Sequence, residues 1–180
     1  LPLLIVTGIV LVSFVKPDPK EIGMNLAAYY PGYKAMPRPE GAAVDFSPMT
    51  LLRNPMARIA IVSNCSGQGN MSIVMVLTSL VLAHHGHSLT AIAFSHMFHS
   101  VGMFAFTVPI GRLADRYGRA WIMYPGVAIA LLGAGLVSFT DGALIAVTLG
   151  TFLVGVGWAG SNVASTALLA DMVETHERGR

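Results

Sequence analysis

Charge is what this sequence has least of. Only 11% of its 180 residues are Lys, Arg, Asp or Glu, whereas an ordinary soluble domain carries about 25%. A single cysteine, Cys65, rules out an intrachain disulfide and says nothing about redox compartment. No nucleophile stands with a base, and there is no carboxylate pair or phosphate-binding loop, so no catalytic residue is assigned. A basic surface interleaved with aromatics is absent, and nucleic acid is not expected as a partner.

What is abundant is apolar sequence: 54% of the residues are hydrophobic. Residues 59–83, 89–111, 120–140 and 142–170 contain no Lys, Arg, Asp or Glu. Each reaches the length of about 20 residues that crosses a hydrocarbon core. The pattern predicts an all-α membrane protein with four complete spans, the longer ones tilted or projecting beyond the bilayer. Residues 1–15, LPLLIVTGIVLVSFV, read as the end of a further transmembrane helix, which implies a truncated chain. No basic segment precedes this run as it would in a secretory signal. Residues 16–56 differ in character. They hold Pro17, Pro19, Pro31, Pro37, Pro39, Pro48 and Pro55, and read as a polar linker outside the bilayer with one short amphipathic turn around Met49 to Leu52. Residues 57–180 form the four-span part.

The basic residues set an orientation. Lys16, Lys20, Lys34, Arg38, Arg53, Arg58, Arg112, Arg116, Arg119, Arg178 and Arg180 all fall on one side of an alternating topology, while the connections at 83–89 and 138–143 hold neither Lys nor Arg. The positive-inside rule assigns the basic side, including the linker, to the cytoplasm. A short turn there, within GRLADRYGRAWIMYPG (111–126), concentrates the charge. Asp115 is placed to accept from helix-end amides or to pair with Arg116 or Arg119. Gly111 and Gly118 are expected where a Cβ would clash.

The order Gly111, Leu113, Asp115, Arg116, Gly118, Arg119 matches G-x-L-x-D-R-x-G-R and resembles the signature loop of the major facilitator superfamily. Ala120 stands where a further basic residue often follows. HERGR (176–180) is similar to the cytoplasmic loop two spans later in that family, and VKPDPKEIG (15–23) to the exit from its sixth helix. The resemblance implies a partial major-facilitator helix bundle covering the end of the sixth helix, the central linker and helices seven to ten. A second register, with the four spans as helices one to four, leaves residues 1–15 without a place. The implied function is transport of a small solute by alternating access in a multi-pass protein of the cell membrane. Solute would bind near the midplane, between this half and a missing N-terminal half of the same carrier. Neither cofactor nor catalytic metal is implied.

Polar side chains within a span usually face the bundle interior or a watery cavity. Asn64, Gln68, Met71 and Met75 share one helical face, as do Thr151, Gly155, Trp158, Asn162 and Ser165. Asn64, Gln68, Trp158 and Asn162 are the substrate-cavity candidates, against the alternative that they only hydrogen-bond helix to helix. Ala146, Gly150, Gly157 and Ser161 form a separate small-residue seam. The histidines offer a rival reading. His84, His85 and His87 cluster in one turn, and His96 and His99 lie one helical turn apart within the next span. A membrane metal-binding protein or enzyme is the alternative function, and His96 and His99 are proton-coupling candidates. GVGWAG (155–160) satisfies G-x-G-x-x-G without the preceding strand a dinucleotide site needs, and reads as a packing feature. The acceptor-like triplets at Asn64 and Asn70 lie within a span and are set aside as glycosylation sites.

Overall fold

A computed structural model describes residues 2–14, 16, 19–32 and 48–172. HERGR, Lys34, Arg38 and the middle of the Pro-rich stretch lie outside the described residues. Two compact units are distinguished. The first holds α1 (Pro2–Phe14), α2 (Pro19–Met24) and α3 (Leu26–Tyr29). With 13 residues, α1 is shorter than a complete span, and Ile5, Val6, Ile9, Val12 and Phe14 are exposed along it. The stretch read as a linker therefore begins with two short helices, the first opening on Pro19, whose missing N–H is no loss at a helix start.

The second unit, Ser47–Met172, is an all-helical bundle. It starts with α4 (Pro48–Arg53), the short turn anticipated at Met49 to Leu52, so the compact unit begins about ten residues before the predicted boundary at 57. α5 (Pro55–His84) follows, its N-cap Asn54 accepting from the Met56 amide at 2.9 Å with Pro55 in the first helical position. α6 (Leu89–Ala105) is capped by Ser88, which accepts from the Ala91 amide at 3.2 Å. α7 (Thr107–Tyr117), α8 (Arg119–Phe139) and α9 (Leu144–Met172) complete the unit. Among the described residues four segments are long and apolar enough to cross a membrane: Pro55–His84, Leu89–Tyr117, Arg119–Phe139 and Leu144–Met172.

Two expectations are corrected. The second span is not one uninterrupted helix. It breaks at Phe106, because Pro109 has no N–H to offer the Ala105 carbonyl and its ring crowds that carbonyl. Thr107 Oγ1 donates to the Met103 carbonyl at 2.8 Å and satisfies an acceptor beside the break. Nor is the charged motif a loop. Gly111 to Tyr117 are the last two turns of α7, and Gly118 alone separates α7 from α8.

α9 is the most enclosed helix, with α5, α6, α7 and α8 all packed against it. Its glycines explain how. Gly157 meets α8 at the backbone of Gly126 and Ala130, Gly150 meets Gly133 and Val137, and Gly160 meets Gly126. Gly155 faces the other way, onto the α6 backbone at His99 and Met103. The G-x-G-x-x-G pattern is thus a two-sided packing surface. Gly150 and Gly157 lie in the predicted seam, and Ser161 lies where α5 passes at Gly67. Beyond these contacts Val74, Leu82, Val137, Val147 and Val154 form a buried apolar cluster towards the His84–Ser88 end.

Candidate functional site

The two polar stripes converge. α5 and α9 are 30 and 29 residues long, and Gln68 and Trp158 stand near the middle of each. Trp158 Nε1 donates to Gln68 Oε1 at 2.8 Å. Further along, Asn64 Nδ2 donates to Asn162 Oδ1 at 2.8 Å and to Ser165 Oγ at 3.1 Å. All four cavity candidates therefore make α5–α9 hydrogen bonds, in two groups: the Gln68–Trp158 pair, and Asn64 with Asn162 and Ser165. Gln68 is exposed, and Asn64, Trp158 and Asn162 are half-buried. The indole uses its only donor on Gln68. The Gln68 and Asn162 amide nitrogens have no partner among the described residues, and are free to donate to something else.

The α9 stripe does not keep to one neighbour. Trp158, Asn162 and Ser165 meet α5, but Thr151 and Gly155 turn to α6. Ser95 Oγ and Thr151 Oγ1 lie 3.2 Å apart, and His99 Nδ1 donates to the Thr151 carbonyl at 2.8 Å. Asn70, on α5, donates to the Ala130 carbonyl of α8 at 3.4 Å. A groove of about 790 Å³ opens elsewhere, between α6 and the first turns of α9, with Phe94, Phe98, Leu149 and Phe152 in its wall. None of the cavity candidates lines it. So apolar a lining suits a hydrocarbon surface better than a solute held by hydrogen bonds.

The histidines do not gather into one cluster. His85 Nδ1 donates to the Val81 carbonyl at 2.8 Å, and His87 Nε2 to the Gly142 carbonyl at 2.9 Å, which ties the turn after α5 to the turn before α9. His84 packs edge-on to His85. His96 faces α5, where its Nε2 lies 3.2 Å from Ser79 Oγ. His99 is buried against α9, and its Nε2 has no partner among the described residues, as is also true of Ser63 Oγ and Thr78 Oγ1. No group of three His, Cys, Asp or Glu among the described residues is arranged to hold a metal ion. Among the described residues nothing favours the metal-centre alternative.

At the opposite end the charged motif forms a three-helix tie. Of the two partners anticipated for Asp115, Arg119 is the one used, through Nη1 to Asp115 Oδ1. Arg119 Nε also reaches Asp171 Oδ2, at the end of α9, at 3.2 Å. The sequence reading missed Asp171. Its signal was faint, one of three carboxylates just past an uncharged run, 52 residues from its partner. Arg116 instead lies over the Tyr117 ring, 5.4 Å from its centroid.

The two motif glycines differ. Gly118 has φ +102° and ψ 146°, a conformation open almost only to glycine, and it makes the whole turn between α7 and α8. Gly111 was expected to avoid a clash but does not need to. It is helical, and a Cβ there would meet Val163 Cγ1 at 4.0 Å, an ordinary contact. Gly118→Ala should therefore destabilise by about 1–3 kcal/mol, while Gly111→Ala should be neutral or stabilising by up to about 1 kcal/mol. Melting temperatures of the detergent-solubilised variants check this; equal losses at the two positions would refute the assignment.

Comparison with known proteins adds three relatives and a family. The sequence profile of the Major Facilitator Superfamily matches residues 59–180. An uncharacterized MFS-type transporter of Bacillus subtilis, YddS, is 28% identical over 183 residues, covering 98% of this chain and 39% of the relative. A second from the same organism, YdeG, is 30% identical over 111 residues, covering 61% and 26%. The riboflavin transporter RfnT of Brucella anthropi is 29% identical over 136 residues, covering 72% and 32%. The chain thus spans between about a quarter and two fifths of the length of these relatives. No solved structure matches it with significance.

Proposed function

The chain belongs to the Major Facilitator Superfamily, and from that premise we propose that it is part of a secondary carrier that moves a small solute across a membrane by alternating access. The α5–α9 network forms one wall of the solute path, and the facing wall comes from the other half of the same carrier. The observation that carries this reading is the Gln68–Trp158 pair near the middle of two spans, continued by Asn64, Asn162 and Ser165. Carriers of this architecture hold substrate near the midplane between halves, and unspent amide donors at that depth are costly against lipid. Residues 59–83 and 144–170 contribute no Lys, Arg, Asp or Glu, so this wall favours an uncharged solute. An indole and three amides suit a flat, hydrogen-bonding ring system. One relative is named as a riboflavin transporter, and riboflavin is accordingly the first solute to try. The distribution of basic residues supports a cytoplasmic Gly118 end in a protein of the cell membrane.

The test is uptake of labelled riboflavin, and of a panel of neutral aromatic solutes, by the complete carrier in proteoliposomes. Gln68→Ala and Asn162→Ala should each raise the half-saturating concentration roughly 3- to 10-fold, the loss of about one hydrogen bond, with folded yield near normal. If both instead lower the yield while the surviving protein keeps its half-saturation, the network is helix-packing glue. Flux of no solute in the panel would overturn the carrier reading.

A further inference from the structure

An amide side chain can offer a solute either its oxygen or its nitrogen, and on the α5–α9 wall the neighbours make the choice. The Trp158 indole has one polar atom, and its N–H only donates. At 2.8 Å from Gln68 it holds Oε1 towards itself, which leaves the NH2 of the same amide facing away from it. The reverse orientation would set two donors against each other.

One helical turn on, a hydroxyl does the same for the second group. Ser165 Oγ spends its only hydrogen on the Asn162 main-chain carbonyl at 3.2 Å, so towards Asn64 it can only accept. Asn64 accordingly turns Nδ2 to α9. That nitrogen gives one hydrogen to Ser165 Oγ at 3.1 Å and the other to Asn162 Oδ1 at 2.8 Å. Asn162 is fixed in turn, with its oxygen taken and its NH2 left over. The unspent polarity of the wall is therefore lopsided: Gln68 Nε2 and Asn162 Nδ2 carry hydrogens with no acceptor among the described residues, against one open oxygen, Asn64 Oδ1. Gln68 is exposed and Asn162 half-buried, so both can be reached. No Lys or Arg lies within 59–83 or 144–170 to offset an anion at this depth.

We infer that this wall selects a neutral, flat solute edged with hydrogen-bond acceptors, carbonyl oxygens or unprotonated ring nitrogens, over one of the same shape edged with amino groups. Trp158 sets the preference as a positioning residue, by orienting Gln68. As a step in transport this rests on the carrier reading; as a binding preference it does not. An amino group brought to Gln68 Nε2 would pair donor with donor and leave both unsatisfied once water is excluded, a mismatch that sites reject far more strongly than a small change of shape. Trp158 fixes the polarity at one level of the bundle and Ser165 at the next, so loss of the indole relaxes only one of them.

The experiment compares pteridine-2,4-dione with pteridine-2,4-diamine, which differ by exchange of two carbonyl oxygens for amino groups, at a pH where both are neutral. Equilibrium dialysis against the complete carrier in lipid nanodiscs gives each dissociation constant. The dione should bind at least about tenfold more tightly, the worth of two mismatched hydrogen bonds. Trp158→Phe keeps an aromatic plate but removes the N–H, which frees Gln68 to turn over, and the preference should shrink about fivefold. A packing defect would weaken both solutes together and leave their ratio alone. The orientation is also read without any solute, by nitrogen–proton NMR of tryptophan-labelled protein with the Trp158 indole signal assigned by its loss in Trp158→Phe. Gln68→Met should move that signal towards that of an unbonded indole. An unmoved signal, binding of the diamine as tight as the dione, binding of neither, or an unchanged ratio in Trp158→Phe would overturn the inference. Flux is read separately. A protein that binds the dione selectively but moves no solute would sink the carrier reading and leave the acceptor preference standing, and one that moves solutes but prefers the diamine would do the opposite.

Discussion

Replacing Gly157 with alanine should lower this protein's folded-to-unfolded ratio by roughly a hundredfold. The added Cβ would fall 2.6 Å from the Gly126 carbonyl oxygen and against the Ala130 amide nitrogen. Both are backbone atoms of α8, so no rotamer change relieves them and the helix itself must move away. Gly126, Gly133 and Gly160 hold the same seam closed, and a shift at one level opens the others. Overpacking a filled core costs about 1–3 kcal/mol and occasionally more. With rigid neighbours the upper end applies, roughly a hundredfold in the folded-to-unfolded ratio. Between spans this loss is not offset elsewhere, because close backbone approach is a main source of helix association in lipid. The measurement is monodisperse yield and melting temperature in detergent, with Gly135→Ala, which has open space around its Cβ, as control. A Gly157→Ala protein melting alongside Gly135→Ala would show that α8 and α9 do not pack in this register.

The four spans, the polar stripes and the small-residue seam were legible in the sequence because each depends on composition or on a period within a single helix. Uncharged runs located α5, α8 and α9, and helical spacing put Asn64 with Gln68 and Trp158 with Asn162. What resisted reading was set by how helices cross. Thr151 and Ser165 belong to one stripe, yet one meets α6 and the other α5. A repeat averaging 3.5 residues drifts by about 20° per seven residues on a straight helix, and α9 changes neighbours along its length. Charge misled at Gly111 to Tyr117, where polar residues suggested a loop and the chain continues as helix to Gly118. The break at Phe106 had a local cause in Pro109, hidden because the surrounding run is apolar on both sides. Asp171 had no local cause at all. Its contact with Arg119 exists because the start of α8 lies beside the ends of α7 and α9.

That contact gives the second large effect, which should appear in rate and not in stability. Arg119 joins Asp115 at the end of α7 to Asp171 at the end of α9, but the carboxylates are 66% and 51% exposed. Pairs this open contribute about 0–1 kcal/mol each, so Arg119→Ala should lower the melting temperature by only a few degrees. A carrier, however, must populate two arrangements in turn, and a tie present in one of them sets their ratio. A bias of about 1.4 kcal/mol changes that ratio tenfold. In the complete carrier Arg119→Ala, which removes both pairs, should slow solute flux by roughly tenfold, and Asp171→Asn, which removes one, by up to about fivefold; Asp115→Asn should act in the same direction, with insertion into the membrane unchanged. The pairing itself is tested by exchange: Asp171→Arg alone should be as slow as Arg119→Asp alone, and the two together should recover a substantial part of the flux. Flux unchanged in Arg119→Ala at normal surface level would reduce the tie to surface decoration. An exchange double variant no faster than its parents would mean that Arg119 acts through Asp115 and not across to α9.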